Sequence, residues 1–291
     1  MTKKYAFFLG CTTPFRKTNY EQATRTVCAK LGIELVDMPN GGCCGFPLES
    51  VNEETYLAMA ARVLAMAEEM DLPVLTICTG CSLSLVRAKH TLDNDDEARL
   101  EINGVLAKIG RRYNGTVPAK HLVRALVEDF GVDNIKAAVV KPLDLKVCAH
   151  YGCHLIRPSD EVQFEDPEDA RSLDDLIEAT GATSLDYYDK YACCGGNGIA
   201  TFTEGAYKMS GDKLLSMKEV GAQAAVTACP FCNVMFDTNQ RAIETAIEAE
   251  LAVPVLHYPQ LLGIALGLDQ KELGIDKNRV KVDPALLGAG A

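Results

Sequence analysis

Nowhere in its 291 residues does the chain carry an apolar run close to the roughly 20 residues that cross a bilayer as a helix, so no membrane span is expected. The start, Met1 to Gly10, has a short apolar run but neither a long hydrophobic region nor a small-residue cleavage site; it reads as a first strand, not a secretory leader. Basic charge is in deficit. Lys and Arg number 29 against 40 Asp and Glu, a formal net charge of −11. Nucleic-acid binding needs a basic footprint, so that class is set aside, while a local basic pocket for a small anion is not. Two cofactor signatures are missing as well. There is no Gly-x-Gly-x-x-Gly for a flavin, and no Cys-x2-Cys-x2-Cys-x3-Cys-Pro run for a cubane iron–sulfur cluster.

Hydrophobic residues make up 48% of the chain, ample for a buried core, and the length suggests about two domains. Charged residues at 24% are those of an ordinary soluble, folded protein. With no leader or span, a cytoplasmic address is expected, where thiols stay reduced. The 12 cysteines are then better read as metal ligands than as disulfides.

Strand and helix patterns alternate. Lys4 to Leu9, Ile33 to Met38 and Pro73 to Ile77 read as strands. Asn19 to Leu31, Glu53 to Met70 and Ser82 to His90 read as helices between and after them. Asp93 to Tyr113 is charged and helical, and Val117 to Phe130 is read as containing a helix that includes Lys120 and His121. Asp133 to Asp144 reads as a connection. The same grammar then returns: strands at Leu145 to Ala149, Ser184 to Tyr188, Gln223 to Ala228 and from Val253; helices at Ser172 to Thr180, Gly205 to Val220, after Cys232, and Gln260 to Leu268. Residues after Lys271 read as weakly structured.

The repeat is sharpest in the cysteines. Cys43-Cys44-Gly45 and Cys193-Cys194-Gly195 are the same triplet, each with one cysteine upstream and a Cys-x-x-Cys downstream. Cys11 matches Cys153 at an offset of 142, Cys43 matches Cys193 at 150, and Cys78 matches Cys229 at 151. Val117-Pro118-x-x-His121 parallels Val253-Pro254-x-x-His257. Two tandem, pseudo-symmetric α/β repeats follow, over 1–144 and 145–291, each a Rossmann-like parallel-sheet unit with its cysteines after strand ends. Each set holds five thiols: Cys11, Cys43, Cys44, Cys78 and Cys81, then Cys153, Cys193, Cys194, Cys229 and Cys232. A structural zinc site and a cubane cluster each want four. Five fits neither without one left over. The spacing leaves iron–sulfur, zinc, redox-dithiol and structural readings open, with iron–sulfur ahead. Cys28 and Cys148 lie outside the pattern and read as small buried hydrophobes.

The double triplet resembles that of the CCG-domain proteins, and within them the B subunits of heterodisulfide reductases of methanogenic archaea. Tyr5 to Cys11, Gly115 to Leu122, His150 to Ser159, Cys229-Pro230-Phe231-Cys232 and Gln260 to Gly267 carry the likeness, which runs to about Leu268. It implies that each set of five cysteines binds one noncubane [4Fe–4S] cluster. It implies as substrate the mixed disulfide of coenzyme M and coenzyme B, cut to two thiols; since clusters deliver one electron at a time, the sulfur–sulfur bond is expected to lie between the repeats, each giving one electron. It implies as partners the iron–sulfur and flavoprotein subunits of heterodisulfide reductase, and a hydrogenase or formate dehydrogenase in a larger complex. Other CCG-domain redox subunits, of the thiol:fumarate reductase or lactate and glycolate oxidation type, and a non-catalytic zinc scaffold are the alternatives.

A substrate bearing sulfonate, phosphate and carboxylate would need cations, and Arg16, with Lys17 beside it, and Arg157 follow the first cysteine of each set. His150 and His154 flank Cys153, and His154 is the best candidate for chemistry. His121 and His257 read as core or capping residues. Phe7, Phe8 and Tyr187 read as core, His90 as surface, and Lys208 and Lys213 as members of a solvated helix face.

Overall fold

The structure is a computed structural model that describes residues 3–284 and residue 287. The first half runs β1 (Lys3–Phe8), α1 (Thr12–Arg16), α2 (Thr18–Lys30), β2 (Ile33–Asp37), α3 (Glu53–Glu69), β3 (Val74–Thr76), α4 (Thr79–Asn94), α5 (Asp96–Ala107), β4 (Ala119–His121) and α6 (Leu122–Ala125). Helix α7 (Val132–Ala138) leads across to β5 (Lys146–His150). Then come α8 (Ser159–Val162), α9 (Ser172–Ala179), β6 (Thr183–Leu185), α10 (Thr203–Glu219), β7 (Ala224–Thr227), α11 (Pro230–Asn233), α12 (Gln240–Ile247), β8 (Val255–His257) and α13 (Tyr258–Ala265). Helices α6 and α11 each run on into a single π-helical turn, Leu126–Phe130 and Val234–Thr238.

The two halves form two four-stranded parallel sheets with the same order, β2-β1-β3-β4 and β6-β5-β7-β8. The register repeats too. Phe8 pairs with Thr76 and Thr76 with His121, as His150 pairs with Thr227 and Thr227 with His257. The inner strands β3 and β7 are buried on both faces, as crossover helices on each side require. Val74, Leu75, Ala225 and Val226 are all fully buried.

Helix α3 shows how local chemistry sets an element. The Asn52 side chain accepts from the Thr55 N–H, satisfying one free donor at its start, and Glu53 and Glu54 sit where the helix dipole favours negative charge. Its Tyr56, Leu57, Val63 and Leu64 face the core. Burying one such side chain is worth about 1.5–3 kcal/mol.

One core crosses the midpoint of the chain. Tyr5, Phe7 and Tyr20 of the first half share a cluster with Val147, Leu173, Leu261 and Leu273 of the second. Buried polar bridges join the halves as well. Lys17 Nζ lies 3.0 Å from Asp237 Oδ2, Tyr20 Oη donates to Ala228 O at 3.1 Å, and Asn19 Nδ2 donates to Asn278 Oδ1 at 2.8 Å.

Four readings of the sequence need correction. Lys120 and His121 belong to strand β4; the helix begins one residue later, because the His121 Nδ1 accepts from the Val123 N–H and caps it. Helix α4 begins at Thr79, not Ser82, with Cys78 at its N-cap position, so Cys81 sits inside the first turn. The segment after Lys271 is tied down: Leu273, Ile275 and Asn278 are buried, and Asn278 Nδ2 donates to Val255 O at 2.9 Å. Lys213 does not lie on a solvated face; it is 2% exposed, whereas Lys208 is exposed and paired with Asp212.

Candidate redox site at the facing sheet edges

All ten repeat cysteines line one cavity of about 540 Å³. The parallel strands explain why. Each cysteine follows the carboxyl end of a strand, directly or through a short loop, and the two sheets present those ends to one another. The sulfurs form a continuous run of neighbours. Cys11 adjoins Cys43, Cys43 adjoins Cys44, Cys44 adjoins Cys81, and Cys81 adjoins Cys78. Cys78 meets Cys229 across the halves, and the run continues through Cys232, Cys194 and Cys193 to Cys153. Cys28 and Cys148 stay apart from it, buried in core clusters.

The backbone is shaped around these sulfurs. The N–H of Gly45 donates to Cys43 Sγ at 3.4 Å and that of Gly195 to Cys193 Sγ at 3.3 Å. Both glycines have positive φ, +89° and +81°. A Cβ on Gly45 would lie 3.0 Å from Tyr56 O, and one on Gly195 would lie 2.6 Å from Ala206 O, the matching residue. Only glycine allows that approach. Gly10, at the end of β1, is similar: a Cβ there would lie 2.7 Å from Cys81 Sγ.

Protons cannot leave these thiols independently. The Cys193 thiol is pushed down to about 2 because Cys153 and Cys194 donate to its thiolate, and Cys44 to about 3 because Cys43 and Cys81 do the same. Their neighbours move the other way: Cys194 rises to about 12, chiefly through Cys193. Among the described residues lining the cavity none is Lys or Arg, and Glu49 is the one carboxylate. Ten thiolates can coexist there only around cations that share their charge. Soft sulfur donors, backbone N–H groups aimed at sulfur and a cavity between the sets fit iron–sulfur groups well.

The histidines divide. His121 caps α6, and its Nε2 donates to Ala228 O at 2.9 Å. His257 caps α13 and stacks on Tyr20 with ring centroids 3.9 Å apart. His154 lies on the cavity wall, edge-on to Phe46 at 4.9 Å, and also lines a more open cavity of about 570 Å³ beside it; burial holds its pKa below the usual imidazole range. His150 is 1% exposed, neither ring nitrogen has a hydrogen-bond partner, and its ring lies with Cys194 and Cys232 in a group whose ligand atoms are within 4.8 Å of one another.

The cations expected for an anionic substrate are not on the wall of the cysteine cavity, although Arg157 and Arg87 line the open cavity beside it with Cys153 and His154. Arg16 is exposed at the end of α1. Lys17 is buried against Asp237. Arg157 donates to Tyr191 O at 2.9 Å and to Glu168 at 2.6 Å, holding the loop that leads into Cys193. Arg87, which sequence reasoning passed over, pairs with Glu49 of its own half and Glu161 of the other at the rim. Its repeat counterpart is Thr238, so no internal symmetry pointed to it.

Comparison with known proteins agrees with this geometry. The family model for the CCG cysteine-rich domain matches twice, at residues 5–86 and 147–237. The B subunit of the ferredoxin/F420H2-dependent CoB–CoM heterodisulfide reductase of Methanosarcina acetivorans is 40% identical over 282 residues, covering 96% of this chain and 94% of that protein. The 8-methylmenaquinol:fumarate reductase membrane anchor subunit of Wolinella succinogenes is 35% identical over 290 residues, covering 99% and 100%. A hypothetical protein from Helicobacter pylori of known crystal structure superposes with a TM-score of 0.78 at 15% identity, covering 97% of this chain and 53% of that one, and shares the fold. No helix among the described residues is long and apolar enough to cross a membrane.

Proposed function

The chain belongs to the family of cysteine-rich CCG-domain proteins, and from that membership we propose that it is the disulfide-reducing component of a multisubunit redox enzyme of the heterodisulfide reductase type. Cys11, Cys43, Cys44, Cys78 and Cys81 hold one noncubane [4Fe–4S] cluster, and Cys153, Cys193, Cys194, Cys229 and Cys232 the other. The single observation that carries this reading is that both cysteine sets line one cavity and meet at Cys78 and Cys229. Iron–sulfur groups supply electrons one at a time, and a disulfide needs two, which two facing sets provide.

The chain's own residues supply the surroundings. Phe46 packs over Gly80, and Phe231 over Gly196, where an added Cβ would lie 2.6 Å from the ring, so both rings wall the cavity. Those apolar walls exclude water and suit hydrocarbon next to sulfur. His154 borders both the cavity and the open space beside it, so its ring links a leaving thiolate to solvent protons. Arg157 keeps the loop before Cys193 in place and, with Cys153, His154 and Arg87, lines the open cavity of about 570 Å³ beside the cysteines. The anionic ends of a coenzyme M–coenzyme B disulfide sit at the rim or against a partner protein, since the wall carries no Lys or Arg.

That same wall favours a second reading, an uncharged reductant or oxidant of quinol type, in line with the name of the Wolinella relative. One assay separates them. The anaerobically purified complex is supplied with reduced methyl viologen and the mixed disulfide, each homodisulfide, or a menaquinone analogue. Fastest turnover of the mixed disulfide is expected. Quinone turnover with every disulfide inert would overturn the first reading, and zinc without acid-labile sulfide would overturn both.

A further inference from the structure

The two cysteine sets are matched in position but not in what stands behind them. Aligning β1 with β5 places His150 where the first half has Phe8, since both pair with the equivalent threonine, Thr227 or Thr76. Aligning α3 with α10, each of 17 residues, places Lys213 where the first half has Val63. The alignment is anchored by the contact of Gly45 with Tyr56 and of Gly195 with Ala206. All four residues are buried: Phe8 is 1% exposed, Val63 0%, His150 1% and Lys213 2%. Behind the first set the protein therefore packs a phenyl ring and an isopropyl group. Behind the second it packs an imidazole with two unpartnered nitrogens and a primary amine.

Both groups address the second set. The Lys213 ammonium donates to Asp189 O, has Tyr187 at 5.5 Å from the ring centroid, and interacts electrostatically with Cys193, Cys194 and Cys232. The His150 ring shares its neighbourhood with Cys194 and Cys232. The first half does have a cation near Cys43, Arg62, but this side chain is half-exposed and turned to the Asn40 and Gly41 carbonyls, where solvent screens it. Charge acts far more strongly from a buried position than from a wet one.

Resting on the reading that each set holds an iron–sulfur group, we propose that the two groups are electronically inequivalent, and that Lys213 and His150 are the positioning residues that make the second the more easily reduced. A buried positive charge favours whichever state of a nearby group carries the extra electron. The polar His150 ring beside Cys194 and Cys232 adds to this, since net charge and the polar surroundings of the sulfurs are among the factors that set cluster potentials. Neither residue contacts the substrate-facing side of the cavity. The asymmetry gives a pseudo-symmetric site a direction: an electron arriving from a partner comes to rest on the second half.

The test is a redox titration of the anaerobically purified holoprotein followed by electron paramagnetic resonance, with iron and acid-labile sulfide measured on every sample. Wild-type protein is expected to show two separated midpoints. Lys213→Met keeps the buried stem and removes the charge. It should lower only the upper midpoint, changing the oxidised-to-reduced ratio of that group at a fixed potential at least tenfold, about 59 mV for one electron. Lys213→Arg should leave the midpoint near its wild-type value. His150→Phe, which copies the first half, should lower the same midpoint and serves if Lys213→Met does not fold. Coincident midpoints in the wild type, or an upper midpoint unmoved in both Lys213→Met and His150→Phe, overturn the proposal while leaving the cluster assignment standing. A wild-type protein without iron and sulfide overturns the cluster assignment itself.

Discussion

Replacing Lys17 by methionine tests how the halves are locked together behind the second cysteine set. Lys17 follows α1, and Asp237 lies in the π-helical turn after α11, a little past Cys232. Their side chains are 5% and 2% exposed and 3.0 Å apart. Asp237 also accepts from the Arg279 N–H at 2.8 Å and the Val280 N–H at 3.0 Å, so the same carboxylate docks the C-terminal segment. At an effective dielectric constant of about 20, two unit charges at that separation attract by about 5 kcal/mol. Several kcal/mol of lost hydration per ion oppose this, which is why the intact pair contributes little net stability. Burial pulls the Lys17 pKa down, and the facing Asp237 works against that fall. Removing one partner is another matter. Lys17→Met leaves a buried carboxylate with two backbone donors and no cation, at a cost of about 3–5 kcal/mol. With each kcal/mol worth roughly 2–4 °C in a chain of this order of size, Tm should fall by about 10 °C. Asp237→Asn keeps an acceptor for the two N–H groups and should cost about as much, because Lys17 is then unpaired. The double variant, with neither charge, should lose far less than the sum. Denaturant unfolding of all four proteins gives the cycle. Additive losses would refute the pairing, as would a Lys17→Met protein within about 0.5 kcal/mol of wild type.

Other changes have equally definite outcomes. Cys194→Ala should remove the second group and turnover together while sparing the first, so iron content falls by about half; full activity at normal iron would sink the ligand assignment. Gly195→Ala forces a side chain to positive φ and against Ala206 O, and should cost about 2–4 kcal/mol, whereas Gly32→Ala, at φ +73° with nothing within 4 Å of the added Cβ, should cost only about 1–2. Tyr20→Phe removes one of two donors on Ala228 O, the residue before Cys229, and should cost about 0.5–1.5 kcal/mol in unfolding measurements because His121 still holds that carbonyl.

Much of the fold was legible because strand, loop and helix follow one another twice at nearly constant offsets. Parallel strands put every strand end on one edge, so cysteines placed after strand ends were bound to gather there. The helix expected at Lys120 and His121 failed for a definite reason. The stretch before Leu122 is only three residues, Ala119–His121, and its partner β3 accepts it into the sheet in parallel register. Periodicity cannot tell such a stretch from the start of a helix. The segment after Lys271 lacks periodicity altogether, and it is ordered by Asp237, Val255 and Gln260 from earlier in the chain.

The vicinal triplets, their repetition, the five thiols in each set and the α/β alternation are properties of the sequence alone. They follow from residue type and spacing, which local chemistry reads directly. Tertiary structure decided the rest. It brought Cys78 against Cys229 so that two sets became one cavity, kept Lys and Arg off that cavity's wall, and turned Arg157 and Lys17 to holding the frame. It also buried Lys213 beside the second set, although on its helix it reads as one more surface lysine. Such outcomes depend on which elements pack together, and a lysine's surroundings are set by residues that its own neighbours in sequence do not name.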